Sequence, residues 1–66
     1  MKITPKKLKV LTLIARGYTD KEIAHSMQIS TRTIHSHISS ILSILNATNR
    51  VNAVYLYKDK HPNWKI

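Results

Sequence analysis

A chain of 66 residues has room for one small domain and one small core. It has no cysteine, which excludes disulfide staples and thiolate metal sites, and 42% of it is hydrophobic, too much for a disordered basic tail. Lys and Arg number 11 against 3 Asp and Glu, for a formal net charge of +8, a balance suited to a polyanion such as nucleic acid or to an anionic membrane surface.

No run approaches the roughly 20 apolar residues of a bilayer span. The longest, Val10 to Ala15, contains Thr12 and is followed by Arg16-Gly17. Lys6, Lys7 and Lys9 interrupt the apolar residues that a signal peptide would need in series. The expectation is a cytoplasmic protein that does not engage membranes. A membrane-surface peptide is the rival that the charge leaves open, and it would be helical only on anionic lipid.

A single Gly and two Pro favour long regular elements. The first helix is predicted over about residues 5–16. Thr4 caps it, and Pro5 suits the first helical position, where its missing N–H has no helical partner. Val10, Leu11 and Ile14 fall on one side at helical spacing. Gly17 ends the helix, because glycine takes a left-handed cap without steric cost.

The second helix is predicted over about 20–27. Thr19 and Glu22 form a capping box, and Asp20 and Glu22 complement the positive end of the helix. Ile23, Ala24 and Met27 make its apolar side. Gln28-Ile29-Ser30 is the break, with Ile29 plugging the core and Ser30 capping the next helix.

The third helix is predicted over about 31–45. Ile34, Ile38, Ile41 and Leu45 recur at steps of four, three and four. Arg32, His35, Ser36, Ser39 and Ser43 lie opposite. Ser and β-branched residues give this helix poor intrinsic propensity, so packing has to hold it. Thr48 or Asn49 then caps a fourth helix over about 49–58. Its Val51, Ala53, Val54, Tyr55, Leu56 and Tyr57 surround most of the circumference, more than one apolar stripe needs. The surplus suggests a second buried face against another subunit. Residues 59–66 read as a polar tail, with Pro62 stopping the helix and Trp64 folding back.

The histidines suggest no metal centre. His35 and His37 are two apart and project about 200° apart on a helix, so they cannot share an ion. With three acids and no glycine-rich elbow, no catalytic constellation is visible either, and no cofactor is implied. The serine series on the third helix alone would read as a solvated face. Tyr55, Tyr57 and Trp64 cluster late, where they suit core or subunit contacts better than a base-stacking platform for single-stranded RNA.

The order of these residues resembles the LuxR/NarL-type (GerE-like) helix-turn-helix domain of bacterial transcription regulators. Ile3-Thr4-Pro5 is similar to the family's opening Leu-Thr-Pro. Val10-Leu11, Leu13-Ile14-Ala15-x-Gly17-x-Thr19-x-Lys21-Glu22-Ile23-Ala24 and Ile29-Ser30-x-x-Thr33-Ile34-x-x-His37 follow the family's first three helices, and Ile41, Leu45, Asn49-Arg50 and Ala53 complete the match from Ile3 to about Tyr57. The resemblance implies an all-α, four-helix helix-turn-helix domain, of the winged-helix-like superfamily without a wing. It implies sequence-specific binding of double-stranded DNA and transcription regulation in bacteria, as the output domain of a larger regulator or a small stand-alone one, located at the nucleoid when bound. The third helix would enter the major groove. The fourth would join two copies, here through Val51 and Tyr55, and RNA polymerase is a further candidate partner.

Carried over residue by residue, Thr33 and His37 match phosphate-contacting positions, and Lys21 matches a lysine near the DNA backbone. His35, Ser36 and Ser39 match positions that read base edges. Arg32 shares the outward face, Thr31 stands at the helix start where free N–H groups attract phosphate, and Arg16 is a further phosphate anchor. The chain departs from the family pattern at Lys7 (usually Glu), His35 (often Lys), Ile44 (usually basic) and Tyr57 (usually small). These departures keep a second function open: a protein-interaction or dimerisation module of the same fold, with weak or lost DNA binding.

Overall fold

The computed structural model describes residues 2–66, and Met1 lies outside them. Four helices follow one another, with no strand among the described residues: α1 (Pro5–Ala15), α2 (Asp20–Met27), α3 (Thr31–Leu45) and α4 (Arg50–Lys60). Each N-terminus is capped by a side chain. Thr4 accepts from Lys7 N, Ser30 from Thr33 N, and Asn49 from Asn52 N. At α2 both arms of the capping box are made: Glu22 N donates to Thr19 Oγ1 (3.1 Å) and Thr19 N donates to Glu22 Oε1 (2.8 Å). Of the two candidates for the α4 cap, it is Asn49 that serves.

The first three helices end in one way. A residue in the left-handed region lets two backbone N–H groups reach back to carbonyls that the helix leaves unpaired. At α1, Gly17 (φ +90°) allows Gly17 N to bond Ile14 O and Tyr18 N to bond Leu13 O. At α2, Gln28 (φ +57°) sets Gln28 N on His25 O and Ile29 N on Ala24 O. At α3, Asn46 (φ +54°) sets Asn46 N on Ser43 O and Ala47 N on Leu42 O. These tight closures make the connections short. The α2–α3 turn carries Ile29 back against the core, as its apolar side chain predicts.

Val10, Leu11 and Leu13 of α1, Ile23 and Ala24 of α2, Ile34, Ile38 and Ile41 of α3, and Ala53 of α4 form the buried core. Each buried Leu or Ile contributes about 1.5–3 kcal/mol, which a domain this small needs. In α1 the buried third member is Leu13, with Ile14 only half-buried. Leu13 is also the residue whose carbonyl accepts from Tyr18 N at the helix end.

α4 continues two residues past the expected end, to Lys60, and the tail then returns to the body. Trp64 Nε1 donates to Thr12 Oγ1 (3.1 Å) on α1, and that hydroxyl donates to the Leu8 carbonyl (2.9 Å). The indole meets Tyr57 edge-on, with centroids 4.9 Å apart, and Tyr57 stacks on His61 at 4.3 Å. Tyr57 thus forms the seat for the tail.

Candidate nucleic-acid interface

α3 is positioned by its inner stripe. Ile34 is fully buried, Ile41 nearly so, and Ile38 is 7% exposed. This fixes the rotation of the helix, so Arg32, His35, Ser36, Ser39 and Ser43 are all turned to solvent. Thr31 and Thr33 are exposed at the helix start, and His37 is half-buried on the flank. Lys21, on the first turn of α2, is exposed, as is Arg16. Every residue expected to meet DNA is therefore at least partly exposed, and the α3 group from Thr31 to Ser39 lies within the first nine residues of one helix.

The start of α3 has spare donors. Ser30 Oγ accepts Thr33 N (3.1 Å) and is also within 3.0 Å of Thr33 Oγ1. That leaves the Thr31 and Arg32 N–H groups without a partner among the described residues, because the first N–H groups of a helix have no carbonyl behind them. Their partial positive charge suits an anion.

One acidic residue lies beside this surface, and its charge is matched. Asp20 accepts from Arg50 through both oxygens, Nη1 to Oδ1 and Nη2 to Oδ2 (3.3 Å). Asp20 Oδ2 also lies 2.9 Å from His35 Nε2. The Arg50 guanidinium, bonded to the carboxylate, holds the Asp20 carboxyl below its usual range, and His35 adds in the same direction. Arg50 is pushed up in turn by the same pair. The first turn of α2, the first turns of α3 and the start of α4 are thereby tied at one point.

Sequence reasoning placed Asp20 at the helix start for its dipole and gave Arg50 no partner. Their pairing spans 30 residues, and only the packing of α2 against α3 and of α3 against α4 brings them together. Lys7, which stands where the family pattern usually has Glu, joins no ion pair among the described residues. The Asp20–Arg50 pair carries the interhelical charge matching here.

The outer side of α4 differs in character. Val51 is 76% and Tyr55 is 67% exposed. Together with Val54, Pro62 and Ile66 they line an open apolar groove of about 530 Å³. The two residues expected at a subunit contact are thus accessible and adjoin further apolar surface.

The sequence pattern of the luxR family of bacterial regulatory proteins matches residues 1–57. The response regulator proteins VraR of Staphylococcus aureus, Staphylococcus saprophyticus and Staphylococcus epidermidis are each 39% identical to this chain over 59 residues, covering 89% of it. The chain spans 28% of the length of those relatives. The four-helix architecture, the capped turn between α2 and α3 and the matched span agree: the chain belongs to the LuxR family of bacterial regulatory proteins.

Proposed function

We propose that this domain binds double-stranded DNA with sequence preference and serves as the output module of a bacterial transcription regulator. The observation that carries the reading is the outward face of α3. A helix anchored by Ile34, Ile38 and Ile41 presents Arg32, His35, Ser36 and Ser39 at its N-terminal half, beside unpaired N–H groups. This is the form a helix takes when its start enters a major groove. Thr31, Thr33, His37, Lys21 and Arg16 flank it and position the domain on phosphates, while the outward side chains meet base edges. The net charge of +8 supplies long-range attraction. The role is binding, with no catalytic residue and no cofactor, in the cytoplasm at the nucleoid.

One such module makes a small interface, so tight binding requires two half-sites on a dimer. In this reading Val51 and Tyr55 of α4 meet the same residues of a second copy, which covers the exposed apolar groove. RNA polymerase is a further candidate partner.

Selection of bound duplexes from a random library at low salt tests the proposal. The expected result is a recurring half-site that is lost on Arg32→Ala combined with His35→Ala. A chain that dimerises yet retains no duplex at any salt concentration is the result expected of an interaction module, the reading favoured by the apolar α4 face.

A further inference from the structure

His35 lies in the outward face of α3, yet one of its ring nitrogens is already engaged. Nε2 lies 2.9 Å from Asp20 Oδ2, and Arg50 bonds both oxygens of that carboxylate. Bonded to a guanidinium, the carboxyl stays ionised, and an ionised carboxylate can only accept hydrogen bonds. The contact therefore requires the proton on Nε2. A neutral imidazole carries one N–H, which leaves Nδ1 as a lone-pair acceptor. The His35 side chain is 63% exposed, and Nδ1 has no partner among the described residues.

We propose that Asp20 and Arg50 fix His35 as its Nε2–H tautomer, so that position 35 meets DNA as a hydrogen-bond acceptor and favours an exocyclic amino group, adenine N6 or cytosine N4. This rests on α3 being the recognition helix. In the major groove those two amino groups are the donors, whereas guanine N7 and O6, adenine N7 and thymine O4 are acceptors. An acceptor on the protein set against guanine leaves lone pairs opposed and both groups without their water, which disfavours that base. Asp20 and Arg50 are positioning residues: they act on the base preference through His35.

The arrangement has an inversion built into it. In Asp20→Asn, Arg50, which only donates, takes the amide oxygen and leaves the amide NH₂ turned to His35. A donor facing Nε2 requires a lone pair there, so the ring proton exchanges through solvent to Nδ1. Position 35 then becomes a donor, for which guanine N7 and O6, adenine N7 and thymine O4 are the partners, and it no longer selects an amino group.

Long-range ¹⁵N–¹H correlation spectra of the histidine rings read the tautomer without any DNA. With its ring neutral, wild-type His35 should show a single form with Nε2 protonated and Nδ1 bare, and Asp20→Asn should reverse the two. A wild-type His35 protonated on Nδ1, or one averaging both forms, overturns the proposal, and it does so without relying on any variant to fold. Duplex selection then reads the base preference. At the base pair whose preference disappears in His35→Ala, removing the exocyclic amino group alone (purine for adenine, 2-pyrimidinone for cytosine) should weaken wild-type binding by a few-fold to ~10-fold, and Asp20→Asn should lose this sensitivity. Wild-type binding that is indifferent to the loss of that amino group overturns the proposal. If no duplex is bound, the DNA reading itself fails and the base preference with it, while the spectra decide the tautomer separately.

Discussion

α3 and α4 both carry β-branched residues and both cross the domain, yet they distribute their apolar surface in opposite ways. α3 hides Ile34, Ile38 and Ile41 and shows solvent a polar side. α4 buries only Ala53 fully and leaves Val51 and Tyr55 largely exposed. The core needs the first arrangement, because the inner stripe of α3 is what orients its outer side chains. The second leaves Val51 and Tyr55 exposed on one side of α4, the surface that the proposed contact between copies would cover, while the exposed side of α3 is polar.

The largest expected effect lies inside α3. Ile34→Ala should cost about 2–5 kcal/mol, enough to unfold most of a domain of this size. Urea titration followed by circular dichroism checks it. A loss under ~1 kcal/mol would mean that α3 is not held by its inner stripe.

On α4 the expected pattern is reversed. Tyr55→Ala should leave the monomer's unfolding midpoint nearly unchanged, since exposed positions shift stability by about 0.5 kcal/mol or less. The same change should weaken self-association by ~10-fold or more if Tyr55 anchors the contact between copies. Sedimentation equilibrium on both chains separates the two effects, and an unfolding midpoint that drops without any change in association would place Tyr55 in the monomer fold instead.

A smaller effect concerns how α3 is tied to its neighbours. Asp20→Ala should cost about 1 kcal/mol at neutral pH, because the Arg50 pair is partly exposed and screened by water. The pairing lowers the Asp20 pKa in the folded chain. Its contribution is therefore complete above the unfolded value of about 3.9 and is lost as pH falls through the lower folded value. Wild type and Asp20→Ala should converge in stability as the pH drops below ~4; a gap that stays constant with pH would mean that charge pairing is not its source.

The smallest effect is at the turn that sets α3 against α2. Gln28 occupies the left-handed region, which costs a side-chain-bearing residue about 1 kcal/mol relative to glycine. Gln28→Gly should raise stability by a few tenths to ~1 kcal/mol, read as a higher thermal midpoint. A lower midpoint would show that the Gln28 side chain makes a contact worth more than the strain.

Much of this was legible in the residue order, because capping and periodicity are local. Thr4-Pro5, the Thr19–Glu22 box and Ser30 each announce a helix start within four residues, and the Ile34–Ile38–Ile41 spacing predicts the buried side of α3. What stayed hidden depends on distant contacts. The burial of Leu13 with Ile14 only half-buried depends on how α1 seats in the assembled core. Gln28 is not a residue type that signals a left-handed cap. Asp20, His35 and Arg50 are ordinary charged or polar residues in sequence, and their meeting point exists only once α2, α3 and α4 are assembled. For the site, the outward residues of α3 were predictable from rotation alone. The engagement of His35 by Asp20 was not.

The central claim is that the outward face of α3 docks on DNA, and the salt dependence of duplex binding tests it most directly. If about five phosphates are neutralised per copy, the log–log slope should be about −4.5, and affinity should fall several hundred-fold between 50 and 200 mM salt. Arg32→Ala combined with His35→Ala should weaken binding and make that slope shallower. Binding that is insensitive to salt, or indifferent to the double substitution, would contradict it.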